Sequence, residues 1–202
     1  MAFWHDLITQ KSFEVLQELK PLFPFTLIGG WAVYLYTQAL KSKDIDLIVP
    51  LEKLGEIKRL FPVTKNDRLK KYEAKKWEID IDIYVPYFSN PGLPAELITE
   101  EIVLREGFTI PKVEVLLALK LNAFEERKHS VKGEKDKLDI LSLLQCQEMD
   151  PPTLTSLLKK HHKEGLLTTL IQMIQSTRKV PELKLNEAQM ARLRKKLLPT
   201  LQ

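Results

Sequence analysis

Two short acidic segments carry the residues whose types and spacing could do chemistry. Asp44 and Asp46 stand two apart in "KSKDIDLIVP", and Glu78, Asp80 and Asp82 alternate with isoleucine in "WEIDIDIYV". In a strand, side chains two apart share a face at about 6–7 Å. If the two segments are neighbouring strands about 4.8 Å apart, three to five carboxylates crowd one patch. Like charges that close repel and raise each other's pKa values unless a cation neutralises them. Hard oxygen donors of this kind suit Mg²⁺ or Mn²⁺. Two such ions about 3.5–4 Å apart fit a pair of bridging aspartates plus a third carboxylate from the adjacent strand. The plainer alternative for each segment is a solvated strand face.

A second feature lies fifteen residues ahead of Asp44: the pair Gly29-Gly30, between the apolar run "FTLI" and the amphipathic "WAVYLYTQAL". A strand that passes into a helix presents leading N–H groups and the positive end of the helix dipole, which attract anions. Without a Cβ, the backbone can approach a phosphate closely. A phosphate cradle followed by an aspartate pair is a constellation for nucleotide chemistry, whereas a glycine pair alone is an ordinary turn.

The elements that must position these residues follow from periodicity. Phe3, Trp4, Leu7, Ile8, Val15, Leu16 and Leu19 recur at helical spacing ahead of Pro21. "FTLI" reads as a strand, Gly29 opens a helix to about Leu40, "DIDLIV" is a strand and "LEKLGEIKRLF" a helix. "RLKKYEA" and "KWEIDIDIYV" read as strands joined by a turn near Lys75, "SNPGLP" as a loop, and "EIVLREGFTI" as a hairpin turning at Glu106-Gly107. From Pro111 the pattern is helical: "KVEVLLALKLNAFEERK", then "KGEKDKLDILSLLQC" after a break near Gly133. Two or three more helices follow Asp150-Pro-Pro-Thr153, with Asn186 and Gln189 capping the last. The expected class is α+β: a mixed sheet flanked by helices over residues 1–110, and a helical region over 111–202 that completes the active site.

Composition bounds the rest. A chain of 202 residues with 44% hydrophobic and 29% charged content suits one sizeable domain with a helical companion. One cysteine, Cys146, excludes an intrachain disulfide, fits a reducing cytoplasm, and reads as a buried thiol beside Leu143 and Leu144. "MAFWHDLITQ" lacks the organisation of a signal peptide, and no apolar run reaches the length of a membrane span. Charge is uneven: residues 1–110 carry 14 Lys/Arg against 16 Asp/Glu, and residues 111–202 carry 17 against 11. An acidic half that gathers cations beside a basic half that gathers phosphates suits nucleotide chemistry, although solvated helices give the same asymmetry. His161-His162 has no partner set for a metal. The cations of "KKHHK" and "ARLRKK" read as a solvated face or as contacts to RNA phosphates.

"LIGGWAVYLYTQALKSKDIDLIV" resembles the hallmark of the DNA polymerase β-type nucleotidyltransferase superfamily: a hydrophobic residue, G-[GS], a helix, then D-x-D, with a later carboxylate on another strand. Ser42 takes the Ser/Thr position before the aspartate pair, and Lys41 stands where many relatives carry Arg nearby. "IDIYVPY" resembles the strand of the third carboxylate, which makes Asp82 that residue and Asp80 its rival. "PKVEVLLALKLNAFEERKHSVKGEKDKLDILSLL" resembles the helical signature of small prokaryotic abortive-infection (AbiEii-like) toxin nucleotidyltransferases, with Lys120, Arg127, Lys135, Asp136 and Asp139 at its marked positions.

The resemblance implies a metal-dependent transfer of a nucleotidyl group from an NTP to an acceptor hydroxyl. Asp44, Asp46 and Asp82 would hold Mg²⁺ or Mn²⁺; Gly29, Gly30, Ser42, Lys120, Lys135 and Asp136 would hold the nucleotide. The acceptor would be a tRNA 3′ end, a protein hydroxyl or a small molecule, and a cognate antitoxin would be a partner. Lys120 lies in the nearly all-apolar "VLLALKLNAF" and needs a counter-charge if it points inward. A triphosphate, an ion pair with Asp136 or Asp139, or a snorkelling surface position would each supply one. The competing functional classes are a non-catalytic binding member of the same fold and an antibiotic-modifying nucleotidyltransferase.

Overall fold

The computed structural model describes residues 2–201, with side chains from Asp6 onward; Phe3 and Trp4 therefore lie outside the described side chains. The chain divides into two compact units, Met1–Lys112 and Val113–Gln202.

In the first unit, α1 (Ala2–Leu19) buries Val15, Leu16 and Leu19 and ends ahead of Pro21. β1 (Thr26–Ile28) runs directly into α2 (Gly29–Thr37), which stops at Gln38 in the left-handed region. β2 (Ile45–Ile48) follows, then a 3₁₀ turn and the short α3 (Leu54–Leu60). β3 (Val63–Asn66), β4 (Lys71–Lys76) and β5 (Ile79–Tyr84) form a meander, and after α4 (Ala95–Glu100) the hairpin β6 (Ile102–Arg105) and β7 (Phe108–Pro111) closes the unit.

The seven strands form one mixed sheet in the order β3-β4-β5-β2-β1-β7-β6. β2 lies at its centre, antiparallel to β1 and parallel to β5. The alternating isoleucines explain the placement of β5: Ile79, Ile81 and Ile83 are buried, and the aspartates between them face the other way. Buried Trp31 of α2 donates its indole N–H to Ser12 Oγ of α1 at 2.9 Å, satisfying the polar tip of a side chain that otherwise fills the core.

The second unit contains five α-helices among the described residues: α5 (Val113–Arg127), α6 (Val131–Leu143), α7 (Pro151–Lys160), α8 (Gly165–Ser176) and α9 (Glu187–Leu201). Ser130 caps α6 by accepting from Gly133 N–H, and Asp150 caps α7 by accepting from Thr153 N–H. Asn186 and Gln189 bond each other's backbone N–H reciprocally, the capping box expected from their spacing.

Gly133 does not break a helix. It lies in the first turn of α6, where a Cβ would strike the Arg127 carbonyl and come within 2.9 Å of Lys128 Cα. The glycine is a close-approach position, and the break falls just before Ser130. No helix among the described residues is long and apolar enough to cross a membrane.

Candidate functional site

The centre of the sheet aligns the residues singled out above. The antiparallel register sets Ile28 opposite Asp46, and the parallel register sets Asp46 opposite Asp82. The end of β1, Asp46 and Asp82 therefore stand side by side on three adjacent strands. Gly29 follows at once with φ +67°, a region that glycine enters without penalty. A Cβ at that position would fall 2.6 Å from Asp46 Cγ, 2.9 Å from its Cβ, and closer still to Oδ2. The glycine turn thus leaves the space that the Asp46 carboxylate fills. Gly30 is buried in the first turn of α2, and among the described residues the N-cap, Ile28, makes no side-chain cap hydrogen bond.

Asp44 lies in the bend just before β2, which begins at Ile45, and not inside a strand. Asp44 and Asp46 are both half-buried, and Ser42, two residues earlier, is buried. Lys41 is exposed.

Asp82 has a cation beside it that the sequence reading did not single out. Lys71 Nζ lies 2.6 Å from Asp82 Oδ2 and 3.0 Å from Glu73 Oε1. Both residues come from β4, whose antiparallel register sets Glu73 opposite Asp82. Burial disfavours the Lys71 ammonium, but its bonds to Asp82 and Glu73 outweigh this and its pKa is raised. Burial is also the main influence on Asp82 and raises its pKa; Lys71 opposes the rise, while Glu73 and Asp44 add to it. Glu73 is pulled down by Lys71, with burial opposing, and also accepts from Asn66 Nδ2 at 3.1 Å. The signal for Lys71 and Glu73 lay in the alternation of "KYEAK", which puts Lys71, Glu73 and Lys75 on one face.

Asp80 is exposed and pairs with Lys75 at 3.3 Å. Glu78 lies in the turn before β5 and does not share the strand face. That turn is Trp77-Glu78 and not the expected Lys75, with Trp77 itself at φ +54°.

Among the described residues no group of three or more His, Cys, Asp or Glu side chains is arranged to hold a metal ion. The chemistry of the donors nevertheless fits one. They are carboxylate oxygens, the set preferred by Mg²⁺ and Mn²⁺. Asp82 already pairs with a cation, the Lys71 ammonium.

A separate charged cluster lies within the helical unit. Lys120 of α5 is buried, with Nζ 2.7 Å from Asp139 Oδ2 and 3.3 Å from Asp136 Oδ1. Arg127 grips Asp136 through Nε to Oδ2 at 2.7 Å and Nη2 to Oδ1 at 3.1 Å. Asp139 is wholly buried, and neither of its oxygens makes an aligned hydrogen bond among the described residues, so the Lys120 contact is an ion pair and not a directed bond. Of the readings open for Lys120, this geometry is that of the ion pair. Lys135 is half-buried on α6.

Of the basic stretches, Lys159, Lys160, Arg192, Lys195 and Lys196 are exposed. Lys163 donates to Asn122 Oδ1 at 2.7 Å and Arg194 to the Thr177 carbonyl at 2.8 Å. Cys146 is buried and in no disulfide among the described residues.

No protein-family model matches the chain, and no curated protein sequence matches it significantly. Solved structures do. An antigenic nucleotidyltransferase-like protein from Paracoccidioides brasiliensis is similar with a TM-score of 0.51 and 16% identity, over 90% of this chain and 94% of the other. The antibiotic-resistance factor ANT(2'')-Ia has a TM-score of 0.48 and 18% identity, over 71% and 86% of the two chains. The Helicobacter pylori protein JHP933 has a TM-score of 0.46 and 19% identity, over 97% and 93%. The likeness to the Paracoccidioides protein is one of fold: an α+β, nucleotidyltransferase-type mixed sheet with a helical C-terminal part.

Proposed function

We propose that the chain is a metal-dependent nucleotidyltransferase, moving a nucleotidyl group from an NTP to an acceptor hydroxyl. One observation carries this reading: the glycine turn at the start of α2 is fitted against Asp46, and Asp46 stands in register with Asp82 on the next strand. This supports a phosphate-binding role for the turn and a ligand role for the two aspartates, which stand on three central strands where the sheet restricts movement.

Each residue has a role in this reading. The N–H groups at Gly29 and Gly30, with the Ser42 hydroxyl, hold the triphosphate. Asp44, Asp46 and Asp82 hold Mg²⁺ or Mn²⁺. When bound, the divalent ions supply activation of the acceptor hydroxyl and neutralisation of the departing pyrophosphate. The proposed acceptor is a tRNA 3′ end or a protein hydroxyl, and the helical unit is the basic one of the two units. Its exposed Lys159, Lys160, Arg192, Lys195 and Lys196 are suited to a phosphate backbone. The resemblance of α5 and α6 to the AbiEii-like signature supports a toxin role in a toxin–antitoxin or abortive-infection pair in the cytoplasm. Lys120, Lys135 and Asp136 are the nucleotide contacts of that signature, although Lys120 and Asp136 are already neutralised within the helical cluster.

Incubation with each labelled NTP, Mg²⁺, total tRNA and candidate proteins tests the reading. Label should pass to one acceptor in the wild type and to none in Asp46→Asn. Failure of every NTP and acceptor combination would favour a second reading, a non-catalytic member of the fold. The Lys71–Asp82 pair favours that alternative.

A further inference from the structure

We propose that Lys71 is a resident counter-cation of the carboxylate site, one that occupies Asp82 until a divalent ion displaces it. The inference rests on the metal-dependent reading above and adds to it the step by which the site is loaded.

The geometry supports displacement over a permanent bridge. Lys71 Nζ is shared between two carboxylates, Asp82 at 2.6 Å and Glu73 at 3.0 Å, on adjacent strands. Glu73 lies opposite Asp82, and Lys71 is two residues along the same face of β4. If the ammonium leaves Asp82, Glu73 still neutralises it, so release does not strand a buried charge. Glu73 is in turn held by Asn66, which fixes the second station.

Lysine suits this part. Its charge is compact and sits on a flexible four-carbon stem, unlike the planar fork of arginine, which would grip a carboxylate in a bidentate pair. Only 12% of the Lys71 side chain is exposed, so the ammonium is screened little by water. Asp82 is also largely shielded, with Glu73 and Asp44 adding negative charge. Without a cation this patch would be electrostatically costly to fold. With Lys71 in place it is stable before any metal arrives. An ammonium held at Asp82 would repel a divalent ion there, so Lys71 would have to move for the site to load.

Titration with Mn²⁺ in the absence of nucleotide, at one fixed pH, tests this on wild type, Lys71→Met and Asp46→Asn. An opposite charge within reach of a carboxylate favours its charged form by about tenfold or more. Lys71→Met should therefore bind Mn²⁺ on the order of tenfold more tightly than wild type. As an independent readout on the wild-type protein, amine-directed labelling of Lys71, followed by mass spectrometry, should increase when Mn²⁺ saturates the site.

A Kd for Lys71→Met equal to or weaker than wild type would overturn the proposal. Should that variant fail to fold, Lys71 labelling that does not respond to Mn²⁺ would do the same. If neither wild type nor a folded Lys71→Met binds Mn²⁺, it is the metal-dependent reading itself that falls.

Discussion

The Asp46 carboxylate fills the space that a side chain at Gly29 would need. The antiparallel β1–β2 register brings the two together, and the positive φ of Gly29 turns the chain into α2 without a Cβ in the way. Gly29→Ala should therefore cost stability twice, through backbone strain and through displacement of Asp46. The expected loss is about 1–3 kcal/mol. Gly55→Ala in α3, where a Cβ meets nothing within 4 Å, is the matched control and should stabilise by about 0.4–1 kcal/mol. Denaturant melts of the two variants check this. Equal behaviour would show that the close approach at Gly29 has no energetic consequence.

Asp44→Asn and Asp46→Asn should each abolish divalent-ion-dependent nucleotide transfer and leave the fold intact. Both side chains are half-buried, Asp46 stands opposite Asp82 and Asp44 acts on Asp82 as a like charge, so removing either charge relieves repulsion there. Melting temperature in metal-free buffer should stay constant or rise. Unfolding of both variants would mean that the aspartates serve the fold and not an ion.

Asp82 and Asp80 should separate cleanly. Asp82 stands opposite Asp46, while Asp80 is exposed and joined to Lys75 in a surface pair. Asp80→Asn should change stability by no more than about 0.5 kcal/mol and leave Mn²⁺ affinity unaltered. Asp82→Asn should lose Mn²⁺ affinity. The same titration with the two outcomes exchanged would move the third ligand to Asp80.

Much of this site was legible because its signals are local. Alternation of Ile79, Ile81 and Ile83 with aspartates marks a half-buried strand, and the run from Gly29 to Asp46 fixes the order strand, helix, strand. What escaped depends on non-local pairing or on backbone geometry. The edge strand β3, "VTKN", has no apolar alternation to announce it, and α4 is only six residues long. The β4–β5 turn fell at Trp77-Glu78 because a tryptophan adopts a positive φ there, which residue type does not suggest. Gly133 looked like a breaker, whereas a tertiary contact with the Arg127 carbonyl requires it inside α6. The alternation of "KYEAK" put Lys71 and Glu73 on one face, but only the β4–β5 register brought that face to Asp82.

Lys120 offers the sharpest separation of stability from binding. Its ammonium is buried between Asp139 at 2.7 Å and Asp136 at 3.3 Å, and Asp136 is independently held by Arg127. Lys120→Met keeps length and apolar stem but deletes the charge, so Asp136 retains its arginine while Asp139, wholly buried, loses the cation beside it. Stranding a buried carboxylate in this way should cost about 3–5 kcal/mol. Replacing both partners, Lys120→Met with Asp139→Leu, should recover most of that loss, because two apolar side chains leave no unpaired charge. Thermal melts of wild type, the single and the double variant measure the coupling. If Lys120→Met instead melts like wild type but binds Mg·NTP more weakly, the lysine acts on the nucleotide, as the resemblance to the toxin group implies, and the ion pair is incidental.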